Sequence, residues 1–136
     1  MSTNVVSGSC LCGKIRFEVT PPFAGFRYCH CSRCRKASAS AHAANAFVPE
    51  TQFRWSAGGE HVKRFDLPGA ERFAVWFCPD CGTRLPHKIK TTDNMLIPAG
   101  VLDVDPGIRP TNSIFWGSKA PWYLSPSELP KIDGYK

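Results

Sequence analysis

The stretch CLCGKIRFEVT, residues 10–20, decides the fold. Its second half alternates. Ile15, Phe17 and Val19 fall on one face and Lys14, Arg16 and Glu18 on the other, the pattern of a half-buried strand. Its first half is a C-x-C-G. In an extended chain residues i and i+2 face the same side, so Cys10 and Cys12 can converge on one ion. A strand that opens on two converging thiols predicts a β-domain pinned by metal.

The rest of the chain repeats the strand pattern in short pieces. ANAFV (44–48), QFRW (52–55), HVKRFDL (61–67), RFAVWFC (72–78), NMLIPAG (94–100) and NSIFW (112–116) also read as strands, cut apart by twelve prolines and eleven glycines. SRCRKASAS (32–40) predicts one helical turn with Ser32 as N-cap. SPSELP (125–130) predicts another, starting near Ser125 or Ser127. The expectation is an all-β fold of short antiparallel strands pinned by zinc, with one or two short helical turns. There is no repeat or linker, and 136 residues hold one modest core, so residues 1–136 read as a single zinc-binding domain.

Composition narrows the function classes. No run of 18 apolar residues exists to span a membrane. The start, MSTNVVSGSC, lacks a basic region followed by an apolar stretch, so no signal peptide is expected and the predicted location is cytoplasmic, where thiols stay reduced. Seven cysteines there point to metal, and an odd number cannot close a disulfide framework. The net charge of +6 tilts toward anionic partners. The cations are spread out, with small clusters at Arg33, Arg35 and Lys36 and at Lys88 and Lys90. A solvated basic surface accounts for most of them, and nucleic acid is not the expected partner.

The cysteines divide into four and three. Cys78-Pro-Asp-Cys81-Gly82 is a C-x2-C-G at the end of a strand, a turn that brings two sulfurs together with backbone N–H groups aimed at them. The following glycine supplies the left-handed backbone that closes it. With Cys10 and Cys12, these make four thiolates and a closed tetrahedral zinc site that staples distant strands. Small buried core cysteines are the competing account, and it does not explain two glycine-followed pairs. The remaining Cys29, Cys31 and Cys34 form a C-x-C-x2-C. Three protein ligands with an open fourth position mark a zinc ion that does chemistry. The alternative is a closed site completed by a histidine: His30, which alternates to the other side of an extended chain, or His42, His61 or His87.

At these residues the sequence resembles a known family. GSCLCGKIRFEV, CHCSRCRK, FCPDCGTRL and the late AGVLDVDPGIRP and SKAPW are similar to the glutathione-dependent formaldehyde-activating enzymes, also called the centromere protein V family, over roughly residues 7–134. The resemblance implies an all-β, Mss4-like zinc-binding fold with two Zn²⁺ per chain. It implies that Cys10, Cys12, Cys78 and Cys81 hold a structural zinc and that Cys29, Cys31 and Cys34 hold a catalytic one. Two departures stand out. Ser113 occupies a position where many members carry histidine, and RKASAS replaces a basic-glycine continuation after the triplet.

The implied reaction is a carbon–sulfur lyase-type step in which glutathione adds to formaldehyde, giving S-hydroxymethylglutathione. Three thiolates on Zn²⁺ leave a net charge of −1, a weak Lewis acid suited to a soft fourth ligand. A substrate thiol fits, since zinc lowers a thiol pKa from the usual ~8.5. Glutathione brings two carboxylates, for which Arg33, Arg35 and Lys36 are the candidate binding residues; compensation of the thiolates or plain solvation is the equal alternative. Trp76 is expected near the four-cysteine site and Trp55 in the core. Trp116 and Trp122 are read as core packing or as walls of the open site. Asp103 and Asp105 read as turn residues. A second class of function stays open: a non-catalytic module with two structural zincs that binds nucleic acid or a protein.

Overall fold

The computed structural model describes residues 4–136. Among them the chain forms eleven strands and one α-helix. In chain order these are β1 (Val6–Ser9), β2 (Arg16–Val19), β3 (Gly25–Cys29), α1 (Ser32–Ser38), β4 (Ala43–Pro49), β5 (Phe53–Ala57), β6 (Lys63–Asp66), β7 (Ala74–Phe77), β8 (Arg84–Leu85), β9 (His87–Lys88), β10 (Asn94–Pro98) and β11 (Ser113–Ile114). They make three sheets, ordered β1-β2-β5, β11-β3-β4-β10-β9 and β6-β7-β8. Pairing is antiparallel throughout except for β11, which runs parallel to β3 and sets Ile114 beside Cys29.

The alternation of residues 14–20 determines where β2 points. Ile15, Phe17 and Val19 are fully buried, whereas Arg16 is exposed. Glu18, on the outer face, pairs with Arg54 of the neighbouring β5. Phe17 stacks on Phe53, with ring centroids 5.4 Å apart, and meets the edge of Trp55. Val6, Val48, Met95 and Ile97 complete this core between the first sheet and the β4–β10 pair. Burying each such side chain contributes about 1.5–3 kcal/mol.

All seven expected strands form. Four further strands, β1, β3, β8 and β9, join them. The helix departs from expectation in its cap. Cys31, not Ser32, is the N-cap, and its sulfur accepts the Cys34 N–H at 3.3 Å. The chain turns into the helix one residue earlier because a cysteine sulfur fills the role usually taken by a hydroxyl. The second expected helical turn is a 3-10 turn at Pro126–Glu128, closed by a capping box between Ser125 and Glu128. Asp103 and Asp105 act as turn residues: Asp103 accepts the Ser9 hydroxyl, and Asp105 accepts the Gly107 N–H and the Arg109 guanidinium. Among the described residues no helix is long and apolar enough to cross a membrane.

Candidate metal centres and the adjoining cavity

Two sets of sulfurs converge. Those of Cys10, Cys12, Cys78 and Cys81 all lie within 4.8 Å of one another, and so do those of Cys29, Cys31 and Cys34. All seven cysteines are free thiols.

The four-cysteine set comes from two glycine-closed turns, the second one residue longer than the first. Gly13 N–H donates to the Cys10 carbonyl and Gly82 N–H to the Cys78 carbonyl, at 3.0 and 2.8 Å. Both glycines adopt the left-handed φ these turns need, 79° and 77°. Ile15 N–H points at the Cys10 sulfur at 3.4 Å. The Cys81 thiol is drawn down to about 5 by the Thr83 hydroxyl and by backbone N–H groups of Thr83 and Cys12. A tetrahedral thiolate zinc site has sulfurs about 3.8 Å apart, from Zn–S of about 2.3 Å. The Cys10–Cys12 and Cys12–Cys78 separations are 3.6 and 3.9 Å. The donor set therefore fits the metal. Ile15, Leu85, Trp55 and Val62 pack around it. Trp55, not Trp76, is the tryptophan of this cluster; Trp76 instead lies against the Arg64 guanidinium and the His87 ring.

The triplet occupies the turn between β3 and α1. Cys29 ends the strand, Cys31 caps the helix and Cys34 sits in its first turn. Burial pushes the Cys34 thiol up. Burial pushes the Cys31 thiol up as well, but hydrogen bonds from the Cys34 N–H, the Cys34 and Cys29 thiols and the Arg33 N–H together outweigh it and hold that thiol down. Hydrogen-bonded sulfurs, clustered and undivided by any disulfide, again suit a thiophilic metal. No histidine nitrogen joins this set. His30 is fully buried among His42, Trp116 and Tyr123, with ring centroids about 5 Å away for the nearest. His42 stacks on Tyr28, and His61 is exposed beside Glu60.

The triplet lines a cavity of about 600 Å³, which none of the other four cysteines touches. Four arginines stand on its wall: Arg27, Arg33, Arg72 and Arg84. Among the described residues none of them is ion-paired to a carboxylate. Glu71 is the one carboxylate in the lining. Arg33 is thus at the cavity as its sequence position suggested, whereas Arg35 and Lys36 are not among the lining residues and lie in the last turn of α1. Arg27, Arg72 and Arg84 were not singled out from sequence, because they come from three separate strands or loops that only the fold brings together. His87 also faces the cavity, buried, with its Nδ1 unpartnered; burial first, and then Arg84, lower it to about 4, so the ring is neutral. Phe47, Phe73 and Phe115 supply the apolar wall. Trp116 and Trp122 do not line it: Trp116 packs on His30 and Tyr123, and Trp122 is exposed. Ser113 is exposed outside the lining, while its neighbours Ile114 and Phe115 are part of it.

Comparison with known proteins agrees with this arrangement. A crystal structure of a Rhodobacter sphaeroides protein superimposes with a TM-score of 0.61 at 24% identity, covering 79% of this chain and 98% of that one, a likeness of fold. We found no match among curated proteins. The family model described as glutathione-dependent formaldehyde-activating enzyme matches residues 5–118. With its all-β, Mss4-like fold and its four-plus-three cysteine clusters, the chain belongs to the family of glutathione-dependent formaldehyde-activating enzymes.

Proposed function

We propose that this protein is a zinc-dependent carbon–sulfur lyase-type enzyme that adds glutathione, or a related thiol, to formaldehyde or a similar small aldehyde, or runs the reverse. The observation that carries the reading is the cavity: three converging sulfurs on its wall, together with four guanidiniums that have no carboxylate partner among the described residues. In this reading residues 1–136 act as one domain with two Zn²⁺, working in the reducing cytoplasm. Cys10, Cys12, Cys78 and Cys81 hold the structural ion, and Cys29, Cys31 and Cys34 the catalytic one.

When bound at the triplet, zinc supplies an open, soft coordination position that favours a thiol in its ionised form. The chain's own residues do the rest. Arg27, Arg33 and Arg72 are exposed at the cavity and offer planar donor forks to the two carboxylates of glutathione. Glu71 offers an acceptor to its ammonium group. In the addition a sulfur–carbon bond forms, the carbonyl π bond breaks, and the thiol proton ends on the new hydroxyl. His87, neutral and buried in the wall, can donate its ring N–H to the oxygen as charge develops there. Phe47, Phe73 and Phe115 limit water around the reacting atoms. Four cations gathered in a concavity favour a small anion over a nucleic-acid backbone, which needs a stripe along an open surface.

The test uses protein loaded with cobalt in place of zinc. Glutathione should perturb the sulfur-to-cobalt charge-transfer bands and S-methylglutathione should not. The zinc protein should speed appearance of S-hydroxymethylglutathione in a mixture of glutathione and formaldehyde, followed by NMR exchange. Equal spectral responses to glutathione and to its S-methyl thioether, together with no acceleration, would refute the proposal.

A further inference from the structure

Of the four cavity arginines, Arg84 is different. The other three are exposed, whereas Arg84 is half-buried, with a fully buried Nε that has no hydrogen-bond partner. A guanidinium stays charged in a protein, and removing it from water is costly unless an anion lies beside it. Among the described residues no carboxylate is paired with it. Besides Glu71, which is not paired with it, the groups on its wall that carry negative charge when they hold a metal are the sulfurs of Cys29, Cys31 and Cys34. Burial lowers the Arg84 pKa, and these three sulfurs act in the opposite direction, as expected for a cation facing them.

Its backbone belongs to the other cluster. Arg84 follows the Cys78–Gly82 turn by two residues and pairs with Phe77 across β7 and β8. Thr83, next to it, is fixed from three sides. Its carbonyl accepts the Cys78 N–H at 3.0 Å, its hydroxyl accepts the Leu11 N–H at 3.0 Å, and the hydroxyl lies 3.2 Å from the Cys81 sulfur. The four-cysteine cluster therefore anchors the main chain of the residue whose charge faces the triplet.

We propose that Arg84 is a positioning residue, the counter-cation that holds the three-cysteine metal site in place from the four-cysteine cluster. This rests on the reading of the triplet as a metal site. Divalent zinc with three thiolates leaves one negative charge, and Arg84 balances it inside the wall. The exposed Arg27, Arg33 and Arg72 stay free for the ligand.

The experiment measures chelator-driven zinc release from intact protein, wild type against Arg84→Met and Arg84→Lys, with circular dichroism as a control for folding. The wild type should release zinc in two phases. In Arg84→Met the faster phase should accelerate by roughly 10- to 100-fold, the usual effect of losing an outer partner of a metal site, with the slower phase unchanged. Arg84→Lys, which keeps the charge and is the safer variant for folding, should recover most of the loss. An unchanged fast phase would overturn the proposal, as would equal loosening of both phases or a loss of glutathione affinity alone. A wild type that holds a single zinc would instead refute the metal reading of the triplet, and this inference with it.

Discussion

Both cysteine clusters have backbone N–H groups aimed at sulfur, and they differ in what they connect. Cys12 and Cys78 start 66 positions apart, yet their sulfurs stand 3.9 Å from each other. The triplet comes from one six-residue segment that forms a strand end and a helix cap. The first cluster is wrapped in Ile15, Leu85 and Trp55; the second opens on a cavity lined by arginines. A metal at the first site removes a large loop-closure cost from folding. A metal at the second orders little that the helix and strand do not already order. Four ligands from two distant turns therefore suit a structural site, and three ligands from one turn beside a cavity suit a site that meets substrate.

Substitution of single ligands should separate the clusters most sharply. Cys10→Ser or Cys81→Ser removes a ligand from the cluster that joins distant strands, where a structural zinc contributes on the order of 10 kcal/mol, comparable to the whole stability of a domain. These variants should be unfolded or insoluble. Cys31→Ser should keep native circular dichroism and one zinc per chain while losing activity and the glutathione response. Serine is itself a good N-cap, so α1 keeps its first hydrogen bond when the Cys31 sulfur is replaced. If Cys31→Ser unfolded as completely as Cys10→Ser, the contrast between the clusters would collapse and both would be structural.

The sequence revealed the cysteines far better than the cavity. Spacing and following glycines divide them into four and three because each pair must converge locally, and local geometry is written in adjacent residues. Alternation located β2 for the same reason. The cavity arginines were hidden: Arg27, Arg72 and Arg84 lie in separate segments with no shared pattern, and only the sheet pairings bring them to one wall. Arg33, Arg35 and Lys36 looked equivalent as neighbours, but a helix sends successive side chains in different directions, and of the three only Arg33 lines the cavity. β8 and β9 are two residues each and carry no period of their own, and β11, equally short, is legible only because it falls within the run NSIFW. Nearness to Cys78 in sequence predicts Trp76 at the four-cysteine cluster, but Trp55 packs there, because the sheet register and not chain proximity decides which strand residue meets the cluster.

Smaller effects should come from the cavity wall. Arg72→Ala should raise KM for glutathione about tenfold with kcat nearly unchanged, as expected for loss of a charge-assisted contact made equally before and during reaction. A fall in kcat with KM constant would place Arg72 at the reacting atoms instead. His87 bears on stability as well as chemistry. Its folded pKa, about 4, lies below the ordinary 6.5 because of burial, so the unfolded chain binds the proton more readily. Stability from this residue is therefore full above pH 6.5 and declines as pH falls toward 4, by about 1 kcal/mol at pH 5.5. The difference in thermal midpoint between wild type and His87→Gln should shift in that direction from pH 7.5 to 5.5. A constant difference across that range would mean that His87 is not held neutral in the wall.

The smallest effect belongs to an ion pair that spans the same gap as the four-cysteine cluster. Lys14 Nζ lies 2.7 Å from the Asp80 carboxylate, joining the Cys10–Gly13 turn to the Cys78–Gly82 turn. The hydrogen bond and charge of Asp80 raise the Lys14 pKa, and Lys14 in turn lowers that of Asp80. The stability that results is present above the unfolded carboxylate value and is lost as pH falls through the lowered one. Both groups are exposed to water, so screening leaves little of the attraction. Lys14→Ala should lower Tm by roughly 1–2 °C in low salt and by nothing measurable in high salt, with zinc content unchanged. If the variant lost zinc or unfolded, the two turns would be held together by charge as much as by sulfur, and the four cysteines alone would not account for the joining of the distant strands.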